Sequence, residues 1–204
     1  MRSRTPRSRT PLVVVSFLGL LPAALAWQSA GEPLTLEPQS RLWIDGKSTV
    51  RKFSCKAPVF TVDVDASQGA VAAVLGGTKA VRAVTLTVPA AKMECGNGTM
   101  NEHMLKALKA KDAPTIEFKL NAYDVAKGGQ GVQGTMTGTL TLGGVQKSIS
   151  VAATGRGAAD GTLRVAGVHE LKMTDFGLKP PTLMLGTLKV DERVKVSFDL
   201  LLKD

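Results

Sequence analysis

The sequence predicts a mostly β fold of about eight antiparallel strands, closed on themselves or stacked as a sandwich, with one helix. Three observations carry that expectation. Apolar and polar residues alternate with period 2 through most of the chain, as strands with one wet and one dry face require. Glycine-rich breaks separate the alternating runs at short intervals. A single stretch, Thr99 to Lys111, instead places apolar residues at helical spacing.

Residues 1–26 stand apart from the fold. Arg2, Arg4, Arg7 and Arg9 form a basic start, Leu12 to Leu21 is apolar, and Ala24-Leu25-Ala26 matches an A-x-A cleavage site. About ten apolar residues are too few to cross a bilayer. The segment therefore reads as a cleaved secretory signal peptide of an exported protein, with cleavage expected before Trp27. No cysteine closely follows the apolar run, which argues against a lipid anchor, and the arginines are not paired as twin-arginine export requires.

The 204 residues carry a net charge of +9, and setting aside those four arginines leaves +5. No basic stripe interleaved with aromatics accompanies it, so nucleic acid is excluded as a partner. A mild positive surplus does suit transient contact with anionic lipid head groups. Cys55 and Cys95 are the only cysteines. In an oxidising compartment they are expected to form a disulfide, worth roughly 4 kcal/mol in the chain-entropy model for a loop of this length. Free or metal-binding thiols are the other reading, which the absence of C-x-x-C spacing disfavours.

Residues 27–40 are polar, with Pro33 and Pro38, and are expected to be a flexible lead-in to a domain over 41–204. Trp43 reads as a large anchor where that domain begins. Val50 to Asp65 reads as a long strand or a pair hinged at Pro58, with Phe60, Val62 and Val64 on one face. Gly76-Gly77 breaks the chain before Val84, Leu86 and Val88. Thr99 with Glu102 suggests a capping box for the helix, whose stripe is Met100, Met104, Ala107 and Leu108, and Asp112-Ala113-Pro114 ends it. Ile116, Phe118, Leu120 and Ala122 then share one face. The clearest hairpin follows: Met136, Gly138, Leu140 and Leu142 oppose a threonine face, Gly143-Gly144 turns, and Ile149, Val151 and Ala153 return on the dry side. Leu163, Val165, Gly167, His169, Leu171 and Met173 share a parity, and Val194, Val196, Phe198, Leu200 and Leu202 close the chain.

Few residues suggest chemistry. Gly129-x-Gly131-x-x-Gly134 leads into a threonine strand rather than a helix, so it reads as a hairpin turn and not a dinucleotide loop. Asp175-Phe176-Gly177 lacks the phosphate and catalytic loops a kinase needs. With two histidines and no nucleophile elbow, no catalytic residue is assigned and the protein is expected not to be an enzyme. Met93, Cys95, Met100, His103 and Met104 form a soft-ligand set that suits copper(I). The helix stripe and the disulfide account for most of them, so a copper-binding protein is kept only as a minor alternative, with no metal site assigned. His169 reads as a core or pocket-rim histidine.

Trp43-Ile44-Asp45, His103-Met104-Leu105, Pro114-Thr115-Ile116-Glu117-Phe118, the hairpin from Gly138 through Gly144 to Val151, and Asp175-Phe176-Gly177-Leu178 occur in a distinctive order. Through them the chain, from Leu42 to Leu202, resembles the YceI-like family of exported, lipocalin-like polyisoprenoid-binding proteins. It departs at Gly46-Lys47-Ser48, where a histidine commonly follows the first Ile-Asp, and at Ala113, where an aromatic often precedes the proline. The resemblance implies an antiparallel eight-stranded lipocalin-like β-barrel with one α-helix packed against it. It also implies a channel for a polyprenyl lipid such as an isoprenoid quinone or prenol, bound without catalysis and with no further cofactor.

Parity proposes the lining: Phe60, Val62, Leu86, Ile116, Phe118, Leu140, Leu142, Ile149, Val151, Leu163, Val165, Val196 and Phe198. Small inward residues, among them Ala122, Gly138, Ala153 and Val194, favour a hollow interior over a filled one. Lys47 and Lys147 are candidates to meet a head group. The protein is expected to be a monomer or weak homodimer. The alternative is a filled barrel serving as a structural or stress-response interaction module.

Overall fold

The computed structural model describes residues 32–183 and 186–204. Its strands are β1 (Glu32–Pro33), β2 (Thr35–Leu36), β3 (Arg41–Lys47), β4 (Lys52–Lys56), β5 (Thr61–Ala66), β6 (Val81–Pro89), β7 (Thr115–Tyr123), β8 (Ala126–Gly128), β9 (Gly131–Leu142), β10 (Val145–Gly157), β11 (Leu163–Lys172), β12 (Thr182–Leu183), β13 (Leu188–Lys189) and β14 (Arg193–Lys203). The helices are α1 (Ala70–Leu75) and α2 (Gly98–Ala107).

Twelve strands make one curled antiparallel sheet: ten run in the order β1-β5-β6-β7-β9-β10-β11-β14-β3-β4, with β2 added on β14 and β8 on β9, while β12 and β13 pair separately. The hairpin that the sequence signals most clearly is the longest pairing, with Leu142 opposite Val145, Gly138 opposite Ile149 and Met136 opposite Val151. Gly143 and Gly144 turn it with φ of 58° and 81°, a conformation that excludes most side chains.

The strand count exceeds eight because β4 and β5 are separate strands and the short segments β1, β2 and β8 also join the sheet. Residues 32–36, inside the stretch expected to be a flexible lead-in, pair instead: Glu32 and Pro33 with β5, Thr35 and Leu36 with β14. Leu34 is buried between them, and that burial holds the strap in place. β4 and β5, the ends of the curl, do not pair with each other along their length. The strap spans the gap between β5 and β14 at one end of the barrel. At the other, Lys56 and Glu94 exchange backbone hydrogen bonds of 2.7 and 2.9 Å beside the Cys55–Cys95 disulfide. Residues 1–26, expected to be a signal peptide, and residues 27–31 lie outside the described residues.

The two ends differ. At the strap end α1 buries Ala70, Val71 and Val74 among Leu34, Val62, Val64, Val132, Leu163, Leu200 and Leu202, filling the interior. The sequence reading missed α1, since Ala-Val-Ala-Ala-Val-Leu has no polar face to reveal a helical period. The Tyr123 hydroxyl accepts hydrogen bonds from the Ala80 and Val81 amides at 2.8 and 3.0 Å, fixing the return from α1.

The other end carries the β3–β4 turn, the connection through α2, the β9–β10 turn and the segment from Met173 to Glu192. There the cap of α2 lies two residues before the expected Thr99. Asn97 is the N-cap and accepts from the Met100 amide at 2.9 Å, because its β conformation brings the side-chain oxygen over the first turn. The helix ends at Ala107, before the expected Asp112-Ala113-Pro114 stop, and Lys109 follows with φ 55°.

Candidate functional site: an apolar channel beneath the second helix

A cavity of about 460 Å³ lies between the sheet and α2, within the range of small-molecule pockets. Strand alternation points one face of each long strand into it. Ten of the residues proposed by parity line it: Val62, Leu86, Ile116, Phe118, Leu140, Leu142, Ile149, Val151, Val196 and Phe198. Several of these, including Ile116, Leu140, Ile149 and Val196, are only half-buried although they face inward. Their open surface faces the cavity, so the upper barrel is hollow.

Phe60, Leu163 and Val165 do not line it. Leu163 and Val165 are on the inward face but at the strap end, opposite Leu202 and Leu200, where α1 has filled the interior. Phe60 lies in the link between β4 and β5 and packs against both core clusters. Parity gives the face of a strand, not the depth along it, and α1 was not anticipated.

Aromatic rings shape the wall. A Cβ on Gly138 would lie 2.4 Å from the Phe118 ring; one on Gly46 would lie 2.3 Å from the Phe53 ring, and one on Gly167 2.5 Å from that of Phe198. Gly138 therefore seats a ring against the sheet rather than leaving space for a ligand. The effect on the channel is similar, since a flat ring protrudes less than a raised one. Ala122, expected inward, is exposed because a register shift between Leu120 and Ala122 turns the strand. Ala153 is half-buried and does not line the channel, whereas Val194 does.

The proposed lining also omitted much of the wall. Leu42 and Ile44 face the channel, while Trp43 points to the outer face and donates from its indole to Asp45 at 2.9 Å. The Leu42/Ile44 alternation was present in the sequence, but only Trp43 was singled out there, as an anchor. The stripe residues Met100, Met104, Ala107 and Leu108, together with His103, form a roof over the strands. Met136 and Leu171 also line the wall.

Polar groups gather at the open end: Ser48, Arg51, Asn97, Thr99 and His103. Arg51 reaches across from the β3–β4 turn to the Met100 sulfur, 3.7 Å away, and makes no ion pair among the described residues. Lys47 is paired with Asp191 at 3.3 Å on the exposed surface. Lys147 is exposed and does not line the cavity.

Deeper in the wall stands His169. Burial pushes its pKa below the ordinary 6.5, only partly opposed by the Glu170 charge and the Ser150 backbone, so the neutral imidazole is favoured. Cys55 and Cys95 are joined as a disulfide, which takes the thiolate out of the soft-ligand set; Met100, His103 and Met104 face the channel.

The YceI-like domain model matches residues 43–202. No curated protein matches the chain in sequence. Among solved structures, BcnA of Burkholderia cenocepacia superposes with a TM-score of 0.65 at 20% identity, covering 82% of this chain and 99% of that one. A polyisoprenoid binding domain from Saccharophagus degradans, implicated in plant cell wall breakdown, gives 0.60 at 14% identity over 85% and 98%. A Campylobacter jejuni YceI protein gives 0.57 at 21% identity over 72% and 82%. Likeness at these identities carries the fold, while the domain match spans most of the sequence. The chain belongs to the YceI-like domain family.

Proposed function

We propose that this protein is an exported, non-catalytic carrier that holds a polyisoprenoid-type amphiphile, an isoprenoid quinone or a prenol, in the channel under α2. The hollow, almost wholly apolar interior carries the reading: aliphatic and aromatic side chains from the long strands and α2 enclose it, and the polar groups collect at one end. Each CH₂ moved from water into such a lining contributes about 0.8 kcal/mol, so a long prenyl chain binds well with few polar contacts. The printed description of the Saccharophagus relative as a polyisoprenoid binding domain supports the same class. In this reading the protein acts in the periplasm or outside the cell, as a monomer or weak homodimer, with the lipid as its only bound group.

Organic extraction of protein purified from its native host, followed by mass spectrometry, tests the proposal. A prenyl lipid at a stoichiometry near one per chain is the expected result. Its repeated absence removes the carrier reading and leaves an interaction module.

A further inference from the structure

The charge of this protein is segregated by barrel end. The four connections at the channel's open end, residues 47–52, 90–114, 143–147 and 170–193, hold twelve lysines and arginines against seven acids. The strap end, residues 32–41, 65–82, 123–131, 156–164 and 199–204, holds seven of each, and the remaining described positions three of each. The entire +5 surplus of residues 32–204 therefore sits around the mouth. Three of the mouth cations are held by Asp191, Glu192 and Glu170. Others, including Arg51, Lys52, Lys106, Lys109, Lys179 and Lys189, are exposed and make no ion pair among the described residues. At the tip of the β3–β4 turn, immediately before Arg51, Val50 is 71% exposed, the largest value among the exposed large hydrophobic residues.

We propose that the mouth end docks on an anionic lipid bilayer, with Val50 entering the interface and the surrounding cations meeting the head groups. Each cation near such a surface contributes about 1 kcal/mol, and the contribution is screened by salt. The arrangement aims the opening of the channel, rather than its plugged end, at the membrane. For the use of that orientation the inference rests on the carrier reading; the docking itself rests on charge and exposure alone.

Co-sedimentation of the purified protein with phosphatidylcholine vesicles, with and without phosphatidylglycerol and free of prenyl lipid, tests it. Binding is expected only to the anionic vesicles and is expected to weaken with salt. Arg51→Gln with Lys52→Gln weakens it about 30-fold, and Val50→Asp weakens it as well. The strap-end pair Lys127→Gln with Arg156→Gln leaves it unchanged, and circular dichroism verifies that each variant is folded. Equal partition onto neutral vesicles, or equal losses from substitutions at the two ends, overturns the proposal. Because the readout needs no cargo, failure here is separate from failure to find a prenyl lipid in the channel.

Discussion

Gly138 decides how closely Phe118 lies against the channel wall. A methyl group there meets both the ring and the Lys119 carbonyl at 2.4 Å, and the backbone atom cannot move aside. Gly138→Ala is expected to cost about 1–3 kcal/mol through overpacking, read from chemical denaturation. On the outer face, Asp199 is buried between two exposed arginines. Arg164 donates to both its oxygens, from Nε at 2.6 Å and Nη2 at 2.5 Å, and Arg41 adds a contact at 3.0 Å. The Arg164 hydrogen bonds, ahead of those from Arg41, hold its carboxyl below the usual 3.8 despite burial. A lowered folded-state pKa means that the stabilisation is complete above the unfolded value and disappears as pH falls through the folded one. Asp199→Asn should flatten the acid limb of a stability–pH profile and cost about 1 kcal/mol near neutrality, a modest figure because solvent screens both guanidiniums. Neither the ring seats nor this cluster was legible in the sequence. Each joins residues whose proximity depends on register between strands distant in the chain, which alternation does not encode.

Among the elements, the strands were the most legible and the pieces that close them the least. Period-2 patterning identified the inward faces of β6, β7, β9, β10 and β14, and with them most of the channel wall. α1 and the residue 32–36 strap were missed for physical reasons: one is uniformly apolar and six residues long, and the other is a proline-containing rim segment ordered by tertiary burial of Leu34. The α2 stripe was visible, but periodicity cannot distinguish a buried stripe from one facing an empty space. The link between β4 and the approach to α2 is the Cys55–Cys95 disulfide, closing a separation of 40 residues. Replacing both cysteines by alanine is expected to lower stability by about 2–4 kcal/mol. Hydrogen exchange should accelerate at the Lys56 and Glu94 amides, which bridge the strand ends beside it. Unchanged exchange at those amides would place the closure elsewhere.

For the whole molecule, the sequence patterning and the family resemblance together anticipated the curled antiparallel sheet, while the division of labour between its ends emerged only in three dimensions. One end is plugged by α1 and is electrically balanced; the other is open, roofed by α2 and positively charged. A hollow interior explains why so many inward side chains are incompletely buried, and it sets the central test. Leu140 lines the cavity from the middle of the sheet. Native mass spectrometry of the protein and its Leu140→Trp variant, each incubated with a long-chain isoprenoid quinone, measures whether the space it faces is the binding space. The account predicts one quinone per native chain and none on a variant that stays folded, with a stability loss no larger than about 1–3 kcal/mol. A variant that unfolds, or that binds the quinone as well as the native chain, would contradict it.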